Sequence, residues 1–246
     1  MIKFFRKIRQ NLVSENKFSK YLLYAIGEIV LVVIGILIAL QINNLNEQSK
    51  KEALRKNYVN SLKKDLESDI VLLEKQITQF ELELKIHKSL SERLSASNAT
   101  FDTIRKIARY EFLPFFSPSN NLNLSTYNAL ISTGNLDLLQ PDIREKVQKH
   151  NAEQIETLET IELNFRLCAE KGYKYMADYP INIEFNAING KQMNSVWEEI
   201  NENKLKANLN GILTNKITIY VMSNRLRQSL VEKTKILIEE IKSYEK

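Results

Sequence analysis

Residues 21–42 read YLLYAIGEIVLVVIGILIALQI, and they limit what the chain can become more than any other stretch. Glu28 is the single charge in this run. Twenty-two helical residues rise about 33 Å, enough to cross a hydrocarbon core of about 30 Å. A buried helix of a soluble protein keeps a polar face, whereas Ile29–Leu40 is apolar all round. A cleaved secretory leader has a shorter apolar core and small residues before its cleavage site. The exit Ile38-Ala39-Leu40-Gln41-Ile42 has no such pattern. The run predicts an uncleaved transmembrane helix, with the lipid bilayer as its first partner.

The flanking charge predicts an orientation. Lys3, Arg6, Lys7, Arg9, Lys17 and Lys20 precede the span, and Lys50, Lys51, Arg55 and Lys56 follow it closely. The excess on the first side favours a cytoplasmic N-terminus, with residues 43–246 outside the cytoplasm. Ile2, Phe5, Ile8 and Leu12 recur among Lys3, Arg6, Lys7 and Arg9. That pattern fits a basic amphipathic helix lying on anionic lipid, and equally a plain positive flank.

The same count bears on nucleic acid. The chain of 246 residues carries a formal charge of +5, with 35 basic and 30 acidic residues. Six of the basic and two of the acidic residues lie before Asn43, so the remainder is within one charge of neutral. A nucleic-acid binder carries its basic excess on the folded domain, so no nucleic-acid partner is expected.

Within the span, Gly35 and Ala39 each fall within about 20° of Glu28 on a helical wheel. Gly35-x-x-x-Ala39 is a small-xxx-small pair that permits close helix approach. The stripe predicts contact with another membrane helix, either a second copy or a larger membrane complex. The alternative is a snorkelling or protonated Glu28 with an incidental glycine.

MIKFFRKIRQ, Lys20-Tyr21 and YAIGEIVLVVIGILIALQINN (Tyr24–Asn44) resemble the N-terminus of an uncharacterised family of single-pass membrane proteins from Bacteroidota. STYNALISTGNLDLL (Ser125–Leu139) resembles that family's second recurring stretch. The resemblance implies a helical inner-membrane protein and brings with it no activity and no site residues.

Beyond the span the chain reads as helix. With 6 Gly and 4 Pro it has few breakers, and none falls between Asn43 and Leu113. Tyr58, Leu62, Leu66, Ile70, Leu73, Ile77, Phe80 and Leu84 keep a spacing of three or four, predicting a long helix to about Ser95. His87 falls on its apolar stripe. Phe101, Ile104, Ile107 and Ala108 suggest a short helix, followed by the aromatic, proline-bounded run Phe112–Pro118. Thr126–Thr133 reads as helix stopped by Gly134, and Pro141 as the first turn of another running to 178. Ile181, Ile183 and Phe185 alternate before Asn189-Gly190, a turn with room for a short strand. Ser195–Glu198 matches a capping box, and Leu205–Tyr244 is the last long helix, with Leu209, Leu213, Ile217, Tyr220, Val231, Ile238 and Ile241 on one stripe.

The expected fold class is all-α: an N-terminal transmembrane helix continuing into an extramembrane antiparallel helical bundle. The segments are a basic stretch 1–20, the span 21–42, a juxtamembrane helix 43–98 and the rest of the bundle 99–246.

Chemistry-bearing patterns are absent from the sequence. There is no glycine-rich phosphate loop, HExxH or GxSxG. One cysteine, Cys168, and two histidines, His87 and His150, predict no metal, no cofactor and no catalytic residue. Glu153, Glu156, Glu159 and Glu162 walk along a solvated helical face. The least repetitive region holds Phe115, Phe116 and Tyr127, which form either a plain cap over the bundle or a partner or ligand surface. The function expected is a non-enzymatic membrane-anchored interaction module that binds a protein partner or itself. A small-molecule sensor domain with a pocket near Tyr127 and Phe115, signalling through another membrane subunit, is the alternative.

Overall fold

The computed structural model describes residues 18–116 and 122–244, and its first helix, α1, runs over Phe18–Ser95. The N-terminal positions Lys3, Phe5, Arg6, Lys7 and Arg9 lie outside the described residues. α2 (Phe101–Lys106) passes into a π-helical turn (Ile107–Glu111); α3 (Ser125–Ser132) is followed by a 3-10 turn (Asn135–Leu138). α4 (Pro141–Asp178), α5 (Gly190–Glu198) and α6 (Glu202–Tyr244) complete the chain. The protein is all-α, with no strand among the described residues. It divides into two compact units, Met1–Asn57 and Tyr58–Lys246.

The described part of the first unit is helix α1 up to Asn57. Its apolar stretch is long enough to cross a membrane, and none of it is buried. From Asn43 to Asn57 the helix turns polar and stays exposed. Here pairs one turn apart steady it: Lys50 with Glu47 at 3.0 Å, and Arg55 with both oxygens of Glu52.

The second unit packs residues 58–95 of α1 with α4 and α6. Helices α4 and α6 are antiparallel, tied by Lys146–Glu240 at 2.7 Å and Lys233–Glu153 at 3.0 Å. The bundle part of α1 is also antiparallel to α6, through Lys235–Glu74 and the rings of Phe80 and Tyr220, 5.2 Å apart. Between α1 and α4 the sense is parallel: Asp69 meets Gln154, and eleven residues further along each helix Phe80 stacks on Phe165. Parallel neighbours need a connection that returns the full length of the element. Residues 99–140 supply it, from Ile107 and Phe112 beside Leu90 to Leu130 and Leu139 beside Val59 and Leu62.

Local chemistry sets most helix ends. Thr100 and Thr103 form a reciprocal capping box at α2. Gly134, at φ +67°, stops α3, and Pro141 occupies the first turn of α4. The Ser195–Glu198 box opens no helix. α5 begins five residues earlier, because burying Met193 and Trp197 on one face requires the preceding turn. Ser195 instead donates to the Gln192 carbonyl inside the helix. Ile181–Phe185 forms a loop rather than a strand: its Asn182 amide donates to the Arg109 carbonyl at 2.7 Å, and Asn186 Nδ2 closes it by donating to the Ile181 carbonyl.

Candidate functional site

In the span, the wheel positions of Glu28, Gly35 and Ala39 lie on one continuous helix. Gly35 faces open space: a Cβ built there would meet nothing within 4 Å. In the bundle unit the three nominated aromatics separate. Phe115 is 44% exposed. Phe116 turns inward, edge-on to Phe165 at 6.5 Å. Tyr127 is half-buried on α3 and packs on the other hydrophobic cluster, around Val59 and Leu62. They do not form one patch.

What the fold assembles instead is a polar column inside the bundle, missed by the sequence reading. Arg227 is fully buried, its Nε donating to Gln76 Oε1 at 3.0 Å and its guanidinium 4.4 Å over the Phe80 ring. Burial pushes its pKa down to about 10. Lys216 is 2% exposed. Its ammonium donates to the carbonyls of Leu113 and Phe115, the latter at 2.9 Å. The rings of Phe112, Phe116 and Tyr220 surround it at 5.8, 5.1 and 5.8 Å. Desolvation pulls its pKa down to about 8.

Both histidines are buried in this column. His87 Nδ1 lies 2.6 Å from the Glu83 carbonyl, and its ring packs against Phe112 and Tyr220. His150 Nε2 lies 3.2 Å from Thr234 Oγ1. That hydroxyl is also placed to donate to the Leu230 carbonyl, an arrangement that suits the Nε2–H tautomer of His150. Desolvation lowers the pKa of both histidines, that of His150 to about 4.

Asp65 and Asp69 of α1 hold the returning segment. α3 has no side-chain cap of its own. Asp65 serves from another helix: its Oδ2 accepts from the Thr126 amide at 2.9 Å and the Ser125 hydroxyl at 3.1 Å, and its Oδ1 from Asn123 Nδ2 at 2.7 Å. Asp69, 1% exposed, accepts the Asn123 amide at 2.6 Å and Gln154 Nε2 at 3.1 Å. Burial raises its pKa, and the two bonds oppose that rise.

Residues 28–142 match the model of a family of unknown function (DUF6090). The matched stretch contains both sides of the Asp65 contacts and of the Asp69–Asn123 contact, whereas Gln154, Lys216 and Arg227 lie beyond it. No curated protein and no solved structure matches the chain.

Two cavities among the described residues lie near the end of the bundle where Trp197 is buried. One, of about 240 Å³, lies between α4 and α6 against Lys171, Tyr175, Asn208 and Gly211. The other, of about 280 Å³, lies against Ser91, Leu94, Ile104 and Leu213. Neither is lined by Phe115 or Tyr127. Among the described residues no group of three or more His, Cys, Asp or Glu side chains is placed to hold a metal ion. Cys168 is buried, and desolvation raises its pKa, opposite to the shift an activated thiol needs.

The missed charges left one signal in the sequence. The apolar stripe of α6 has a gap between Tyr220 and Val231, where the same spacing places Ser223, Asn224 and Arg227 inward.

Proposed function

We propose that the protein is a non-enzymatic, membrane-anchored interaction module. Its helical bundle would stand in the periplasm of a Bacteroidota inner membrane, with the N-terminus in the cytoplasm. The observation that carries this reading is the uncovered apolar stretch of α1, in a unit separate from the one that holds the hydrophobic core. Such a stretch in water would bind any apolar surface; in lipid it is satisfied. The open face at Gly35, beside Glu28 and Ala39, supports contact with another membrane helix, from a second copy or a larger complex. Phe115 and its exposed neighbour Leu113 are among the outward apolar residues of the returning segment and the favoured contact for a protein partner.

The sensor alternative draws on the two cavities. Both fall below the roughly 300–1,000 Å³ usual for small-molecule sites, so these two lend the sensor reading little support. The deciding experiment purifies tagged full-length protein in mild detergent and measures mass by light scattering, with identification of co-purifying chains. Gly35→Ile is expected to shrink the oligomer or strip the partner. An unchanged mass removes the small-residue stripe from the proposal. Saturable thermal stabilisation by a metabolite, with no co-purifying chain, would turn the reading to the sensor.

A further inference from the structure

We propose that residues 113–116 form a strap that lifts from the bundle about the core-anchored Phe112, seated on the buried Lys216 ammonium and on the missing side chain of Gly172. This stands whether or not a partner contacts the strap.

The segment leaves the π-helical turn with the Phe112 amide donating to the Ile107 carbonyl at 2.8 Å. Burial then alternates: Phe112 in, Leu113 out, Pro114 in, Phe115 out. This is a half-buried extended segment outside any sheet, so its backbone groups need other partners. Lys216 supplies them for Leu113 and Phe115. The Pro114 carbonyl instead lies against α4, where a Cβ on Gly172 would come within 2.3 Å of it. Three consecutive carbonyls therefore settle on two features of other helices.

The energetics of strap and bundle separate at Lys216. For the helices, its charge is a cost, since the ammonium sits among Phe112, Phe116 and Tyr220 with no carboxylate bonded to it. For the strap, that ammonium is the donor that replaces water at two carbonyls. Methionine would fill the same space without the charge, leaving the helical core as well packed and the strap without its donors. Lifted, the strap returns its carbonyls to water and uncovers an aromatic wall of Phe165 and Tyr220. Segments that open below the global unfolding energy are a normal part of a fold's stability profile.

Limited chymotrypsin digestion of the full-length protein in detergent tests this, with helical content and Tm followed in parallel. The target is cleavage after Phe115 and Phe116. Cleavage after Phe185, 87% exposed on the loop between α4 and α5, is the internal standard. Lys216→Met is expected to speed strap cleavage by about tenfold or more, with Tm unchanged or higher and Phe185 cleavage constant. Gly172→Ala, which pushes on the Pro114 carbonyl while favouring the helix, is expected to act in the same direction with Lys216 in place. Strap cleavage that stays at the wild-type rate in both variants overturns the proposal. So does strap cleavage that rises only together with Phe185 cleavage and a fallen Tm, because the strap is then an inseparable part of the bundle.

Discussion

Between Ala25 and Ile42, α1 turns Leu31, Leu37 and their neighbours outward with nothing over them, whereas between Tyr58 and Ser95 the same helix buries Asp69, Gln76 and His87. One stretch exposes apolar groups and the other hides polar ones. Each is consistent once the surroundings are counted. Lipid satisfies an apolar helix whose backbone bonds are internal. A bundle tolerates a buried charge only where another element brings a matching group. The lesson is that outward-facing leucine and inward-facing arginine are both read correctly only with the solvent of each face in view.

The sharpest way to break that comparison is the same kind of truncation in both regions. Phe165→Ala, in the centre of the aromatic cluster, is expected to cost the bundle about 3–5 kcal/mol in denaturant unfolding. Leu31→Ala is expected to leave that transition unmoved. Equal losses would mean that the span is covered by the bundle.

Acid sharpens the polar side. The folded-state pKa of His150 is held near 4, below its unfolded value of about 6.5, so its stabilising effect is present above that value and is lost as pH falls towards 4. Asp69, with a raised pKa, works in the opposite direction: its contribution is present below its unfolded value and is lost as pH rises through its folded value. Between pH 7 and 4.5 the His150 contribution falls by at most about 3 kcal/mol, and the lowered His87 acts in the same direction. His150→Gln keeps a donor for Thr234 and is expected to flatten the acid limb of a Tm-against-pH profile. An unchanged limb would place the acid sensitivity elsewhere.

Asp69→Ala strands the Asn123 amide and Gln154, an expected loss of about 1–3 kcal/mol at pH 7. Asp69→Asn, which keeps an acceptor for Asn123 and lets Gln154 flip, is expected to lose less. The smallest effect belongs to the exposed stem. Glu52→Ala removes the pair with Arg55 and is expected to leave Tm where it was, since solvated pairs add little.

Much of this was legible beforehand. The apolar stripe from Tyr58 runs out near Ser95, where α1 ends, and Gly134 and Pro141 punctuate the chain as their backbone preferences require. The Ser195 box failed because four residue types at the right spacing describe many helix interiors, and the burial of Trp197 outweighed them. Phe115, Phe116 and Tyr127 looked like one region because they are near in sequence. An extended backbone sends Phe115 and Phe116 to opposite sides, and a turn into α3 takes Tyr127 to another cluster.

The sequence by itself determined which residues share a helical face and which stretch belongs in lipid, because both follow from local periodicity and from the polarity of consecutive side chains. Only the tertiary structure decided that Lys216 and Arg227 lie inside. Their partners, the carbonyls of Leu113 and Phe115 and the amide of Gln76, stand 101 to 151 residues away along the chain. A charge on an inward stripe is forbidden or tolerated according to what another element brings to it, and local spacing carries no record of that element.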